Sequence, residues 1–221
     1  MGPVVTRSEG YRRGVPKEEA ALQVVESFFE RELSVRLERI TNREENYRQG
    51  DFRVNGSKAT IECKGQPIDP VRYPQNFVEV FEITSNPRHE GGLTRVAEIL
   101  GVPVDDISEA RVKNRGVRVG GPQCVSVSVT PISGSAATAY VNAADGGRHL
   151  YLYARDELLQ ACRQAAIGEG FVRGAGRSNE DTFAVFVPLP RLRWQRHDGN
   201  WEFRGDSQAE SAEAVRTLLG L

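Results

Sequence analysis

The sequence predicts a mixed α/β fold in which a long helix precedes a β-meander. Two observations carry this. Apolar residues recur at three- and four-residue spacing from Lys17 to about Ile40, and after them come short alternating runs separated by turn residues. The size agrees. A chain of 221 residues, 39% hydrophobic and 27% charged, suits one medium domain or a core with an appendage, and argues against wholesale disorder.

Each element follows from local chemistry. Residues 1–16 hold Gly2, Pro3, Gly10, Gly14 and Pro16 among small polar residues and read as a flexible N-terminal arm. Pro16 stands where a helix can begin, and Glu18 and Glu19 favour a helix N-terminus. The apolar stripe is Ala21, Leu22, Val25, Phe28, Phe29, Leu33 and Leu37, and residues 41–50 follow as a polar connection. Asn55-Gly56 between the runs 51–54 and 58–64 is a hairpin signal. A third strand is expected over 76–84, completing the meander, and a short helix over 91–101. Residues 105–121 fit no single pattern.

The second half reads as strands at 124–130, 137–142 and 148–153, a helix over 156–166, a glycine-rich loop at 168–177 and a strand at 182–188. Asp198-Gly199, between Trp194 and Trp201, signals a terminal hairpin, and 207–219 a final helix. The expected organisation is an arm (1–16), a core (17–190) with an insertion near 85–147, and a C-terminal hairpin and helix (191–221).

Composition removes several function classes. Net charge is −1, which argues against a high-affinity, non-specific DNA binder but leaves room for local basic stripes. Cys63, Cys124 and Cys162 are far apart and form no C-x-x-C pair, so a disulfide framework or structural zinc site is not expected. Scattered cysteines and the lack of a leader-like apolar stretch suggest a cytoplasmic protein, and no apolar run is long enough to span a bilayer.

The chemistry concentrates in residues 51–64. Glu62 and Lys64 share one face of their strand, Cys63 points the other way, and the hairpin register sets Asp51 opposite Ile61 or Glu62. Two carboxylates that close stay ionised together only with a cation between them; otherwise one takes a proton. Hard oxygen donors favour Mg2+ or Mn2+, and the Cys63 main-chain carbonyl is a further candidate ligand. A metal there with Lys64 beside it makes up the parts that phosphodiester hydrolysis needs. The competing reading is an exposed Glu62–Lys64 ion pair worth a few tenths of a kcal/mol.

Asp51 followed by Glu62-Cys63-Lys64, with a helix upstream and a strand and helix downstream, resembles the PD-(D/E)XK nuclease superfamily. The resemblance is best over residues 17–84. It implies a restriction-endonuclease-like core of helix, three-strand meander, helix and strand, here with additional β-rich C-terminal elements. It further implies a Mg2+- or Mn2+-dependent endonuclease acting on DNA in restriction, phage defence or repair, with Asp51 and Glu62 as metal ligands and Lys64 assisting the attacking water. A homodimer, cutting both strands, fits that picture.

The same resemblance offers an acid from the first helix, best matched by Glu26 with Glu19 and Glu30 as rivals, and a glutamine after the lysine, matched by Gln66. Gln49-Gly50 stands where the family has its proline. Arg72 and Tyr73 in the loop after Gln66, and Arg173 and Arg177 in the glycine-rich loop, are candidate nucleic-acid contacts, with ordinary loop packing as the alternative. Arg191, Arg193, Arg196 and the two tryptophans near the C-terminus either contact DNA or complete a core. The rival to the enzyme is a nuclease-like fold without catalysis, serving as a nucleic-acid-binding or protein-assembly module.

Overall fold

The computed structural model describes residues 7–66, 74–84, 92–103, 124–142, 145–174, 181–205 and 208–221. In chain order the elements are α1 (Arg7–Leu33), β1 (Leu37–Arg39), α2 (Arg43–Gln49), β2 (Phe52–Val54), β3 (Thr60–Gln66), β4 (Gln75–Thr84) and α3 (Gly92–Leu100). Then follow β5 (Cys124–Ser126), α4 (Thr130–Gly134), β6 (Ala137–Asn142), β7 (His149–Ala154) and α5 (Arg155–Gly168). The chain ends with β8 (Val172–Gly174), β9 (Asp181–Pro188), β10 (Leu192–His197), β11 (Asn200–Phe203) and α6 (Gln208–Leu219). The fold is mixed α/β with mostly antiparallel pairing. Among the described residues no helix is long and apolar enough to cross a membrane.

The chain divides into two compact units. One, comprising 17–76, 130–158 and 188–221, holds a seven-stranded sheet in the order β1-β2-β3-β6-β7-β10-β11. Its single parallel pair is β3 with β6, in a register that sets Glu62 beside Thr138 and Lys64 beside Tyr140. On one face lies the core. Val25, Phe28, Phe29 and Leu33 of α1 and Val215 and Leu219 of α6 cluster with Phe52, Val54, Ile61, Cys63, Leu150 and Leu152. Phe28 meets Trp194 and Trp201 with ring centroids 4.8 and 5.4 Å apart, so both tryptophans complete this core. The Asp198-Gly199 turn closes the β10–β11 hairpin with both residues at positive φ (47° and 90°), as a two-residue turn of the right twist requires.

The other unit, comprising 1–16, 77–129 and 159–187, holds a four-stranded sheet ordered β5-β4-β9-β8. Its core stacks Phe81 on Phe183, centroids 4.7 Å apart and nearly parallel, with Phe171 edge-on at 5.2 Å.

Several elements differ from the sequence reading. Helix α1 already begins at Arg7, inside the stretch read as a flexible arm, since glycine weakens a helix without forbidding it. The strand read over 124–130 spans only Cys124–Ser126, with α4 beginning at Thr130, and the glycine-rich loop contains β8. The periodic stripe predicted a helix running to Ile40. Instead Ser34 adopts a left-handed φ of 54°, Val35 N–H bonds back to the Phe29 carbonyl, and Leu37–Arg39 is a strand. Leu33, Val35 and Leu37 fit a two-residue period as well as a helical one, which is why the pattern misled. The polar connection at 41–50 contains α2, capped by Asn42, whose side chain accepts from the N–H groups of Glu44 and Glu45. Finally, the expected third meander strand, β4, pairs in the four-stranded sheet; β6 lies beside β3 instead, and β1 is added on the other side of β2. Alternation identifies a strand but not its partner. Ala137–Asn142, inside the expected insertion, pairs directly with β3. Residues 105–121 lie outside the described residues.

Gly50 fixes the entry to β2. Its φ is 94°, and a Cβ there would lie 2.4 Å from Ser135 Oγ and 2.9 Å from the Ile61 carbonyl oxygen. Neither proline nor any other L-residue fits comfortably at this position. Ser135 Oγ in turn donates to the Gln49 carbonyl, and Gly134 lets its backbone approach Arg48 so closely that a Cβ would meet Arg48 O at 1.7 Å. Gly50→Ala is therefore expected to lower the unfolding free energy by roughly 2–4 kcal/mol, from left-handed strain plus overpacking. Chemical denaturation checks this; a loss under about 0.5 kcal/mol would contradict the close fit.

Candidate metal site at Asp51, Glu62 and Lys64

Asp51 ends the bend before β2, and its backbone continues the ladder: its N–H donates to Ile61 O (2.9 Å) and its carbonyl accepts from Ile40 N–H (2.8 Å). Its carboxylate is held at both oxygens. Asn46 Nδ2, from α2, donates to Oδ1 at 2.8 Å, and the Cys63 N–H donates to Oδ2 at 2.7 Å. Phe52 pairs with Ile61, so the register brings Asp51 to the level of Glu62, as the hairpin reading expected. Within a strand the N–H and C=O of one residue point to the same side, so the Cys63 carbonyl also faces Asp51. The Cys63 side chain points into the core, and burial, followed by the charges of Asp51 and Glu62, pushes its thiol well above the usual range.

Glu62 is 3% exposed. Lys64 Nζ forms an ion pair with its Oε1, while Oε2 has no hydrogen-bond partner among the described residues. Burial pushes the Glu62 carboxyl up to about 7; Lys64 pulls it back in part, and nearby Asp51 pushes it further up. The exposed-pair reading of Glu62 and Lys64 therefore fails. An exposed pair carries no desolvation penalty, whereas this carboxylate is buried with one oxygen unsatisfied. A cation between Asp51 and Glu62 would offset both the burial and the mutual repulsion. The donors present, two carboxylates and a main-chain carbonyl, suit Mg2+ or Mn2+. Among the described residues no three His, Cys, Asp or Glu side chains gather as a metal-binding group.

Glu26 is placed elsewhere. Arg39 grips it through two nitrogens, Nε at 2.7 Å and a terminal nitrogen at 2.6 Å, and holds Glu19 at 2.9 Å. Arg39 pairs with Phe52 across β1–β2 and so lies on the core face, opposite to the one that bears Glu62. Glu26 is also absent from the charges acting on the Glu62 carboxyl. Glu30 is exposed on α1. Glu18, not singled out as a site residue from the sequence, is the α1 acid whose charge acts on Cys63.

Gln66 ends β3 in register with Asn142. Arg173 lies on β8 of the four-stranded sheet. Arg72, Tyr73 and Arg177 lie outside the described residues. Sequence reasoning missed Asn46, which orients Asp51; the signal was there, since Asn42 followed by Glu45 is a helix-start pattern that puts Asn46 in a first turn. No protein-family model, curated protein or solved structure matches this chain.

Two outcomes follow. A carboxyl raised in the folded state contributes its full stability below its unfolded value and loses it as pH rises through the folded one. Glu62 thus weakens the fold progressively from about pH 4.5 to about pH 7, by roughly 3 kcal/mol in total. Glu62→Gln is expected to flatten that part of the metal-free stability profile, measured by urea unfolding across this range; an unchanged slope would contradict the buried, cation-free carboxylate. Glu26→Gln is expected to cost about 1 kcal/mol of stability through its half-exposed ion pair and to leave Mn2+ binding by calorimetry unchanged. Loss of Mn2+ binding would return Glu26 to the site.

Proposed function

We propose that the protein is a Mg2+- or Mn2+-dependent endonuclease of the PD-(D/E)XK type that hydrolyses DNA phosphodiester bonds. The observation that carries this reading is the buried Glu62 carboxylate, paired with Lys64 at one oxygen and without a described partner at the other, at the level of the doubly held Asp51. The element order supports it as well. Helix α1, the β1-β2-β3 meander, then α4 and β6 follow the helix, meander, helix, strand order of that superfamily, with α2 inserted between β1 and β2 and with β4, α3 and β5 between β3 and α4.

In this reading Asp51, Glu62 and the Cys63 carbonyl hold the cation. The Glu62 oxygen that has no hydrogen-bond partner among the described residues, and the doubly hydrogen-bonded Asp51, fit that role. The chemistry a bound divalent cation supplies is polarisation of the phosphoryl oxygen and acidification of a water. Asn46 and the Cys63 N–H keep Asp51 from turning away. Lys64, 39% exposed at its side chain, pairs with Glu62 and in this reading orients the attacking water and neutralises charge that grows on the phosphate. Cleavage in line would leave a 5′-phosphate and a 3′-hydroxyl, as the resemblance implies, and a homodimer would cut both strands.

The test is cleavage of supercoiled, linear and single-stranded DNA with Mg2+ or Mn2+. Wild type is expected to cut at least one form, EDTA to abolish cutting, and Lys64→Ala to slow it by on the order of 100-fold or more. Mn2+ is expected to raise the melting temperature more at pH 8 than at pH 6, because the Glu62 proton competes with the ion. Metal binding without cutting on any of these substrates would favour a nucleic-acid-binding or assembly module; no metal binding at all would remove the enzymatic reading.

A further inference from the structure

The seven-stranded sheet carries a second buried oxygen that the reading above leaves unused. Thr138 on β6 is wholly buried, and its Oγ1 has no hydrogen-bond partner among the described residues. It is the direct register partner of Glu62 across the parallel β3–β6 pair. Paired residues on adjacent strands project to the same face, so the Thr138 hydroxyl stands beside the Glu62 carboxylate on the face away from the α1 core. Glu62 Oε2 likewise has no hydrogen-bond partner among the described residues.

A buried hydroxyl or carboxylate oxygen without a partner costs on the order of 1–3 kcal/mol. Two of them on neighbouring residues would ordinarily be relieved by bonding to each other. They do not bond to each other, and neither has another hydrogen-bond partner among the described residues. Valine has nearly the shape of threonine and would carry no such cost at this position, so a threonine here asks for a polar partner.

We propose that Thr138 is a positioning residue of the same cation site, its hydroxyl fixing an oxygen of the ion's hydration shell beside Glu62 Oε2. This rests on the assignment of Asp51 and Glu62 as ligands and extends the site from the β2–β3 hairpin to β6. Mg2+ sheds water reluctantly and is bound through one or two carboxylates while keeping several waters, which the protein then has to orient. A hydroxyl on the strand parallel to β3 is well placed for that, because the β3–β6 ladder fixes its position relative to Glu62 to within the play of one side chain.

The test compares the wild-type chain with Thr138→Val, Thr138→Ser and Asp51→Asn, using Mn2+ titration calorimetry and metal-free thermal melts at pH 8. Thr138→Val is expected to weaken Mn2+ binding about 10-fold or more while melting at or above the wild-type temperature without metal. Thr138→Ser is expected to restore binding to within about threefold of wild type. Wild-type affinity in Thr138→Val, with binding lost in Asp51→Asn, would overturn the role of Thr138 and leave the metal site standing. A Thr138→Val chain that melts well below wild type without metal would identify the hydroxyl as structural and equally overturn it. Absence of Mn2+ binding in the wild type would remove the site itself, and this extension with it.

Discussion

The organisation of the site depends on one buried carboxylate. Glu62 is almost fully out of water, has an ammonium on one oxygen and no described partner on the other, and lies near a second carboxylate. In a protein interior that arrangement is unfavourable by itself. Desolvation outweighs the attraction of Lys64, and the carboxyl accordingly moves up to about 7. In the proposed reading, the partner that this carboxylate lacks among the described residues is the divalent cation.

The surrounding backbone is built to hold that carboxylate still. The parallel β3–β6 ladder runs under it, and Ile61 and Cys63 on either side of it anchor in the core beneath α1. Asp51 is brought to its level by a chain reversal that only glycine permits at position 50, braced by Ser135 and by the close approach of Gly134 to Arg48. Asn46 adds a side-chain strut from α2. Thus two short helices, α2 and α4, brace the site through Gly50 and Asp51. The longest helix contributes packing: two of its acids, Glu19 and Glu26, are taken up by Arg39.

What the sequence revealed follows the range of each signal. The Asp51–Glu62 level, the shared face of Glu62 and Lys64, the inward Cys63, the Asp198-Gly199 hairpin and the limits of β6 were all legible, because each rests on two-residue alternation or on turn chemistry within about a dozen residues. The end of α1 was not, since Leu33, Val35 and Leu37 satisfy both periods and a left-handed Ser34 has no composition signature. Nor could strand partnership be read. Nothing in Asn76–Thr84 says that it leaves the meander, and nothing in Ala137–Asn142 says that it lies beside β3. Glu26 illustrates the same limit: helical spacing places it near the apolar stripe, but its partner, Arg39, comes from a segment that the same spacing assigned to the helix.

The most direct test of the central claim is to locate the ion. Crystals of the wild-type protein grown at pH 8, soaked in Mn2+ and measured where manganese scatters anomalously, are predicted to give a peak within bonding distance of carboxylate oxygens of both Asp51 and Glu62. Density at those two side chains with no anomalous peak between them, or a peak only at surface carboxylates elsewhere, would contradict the account.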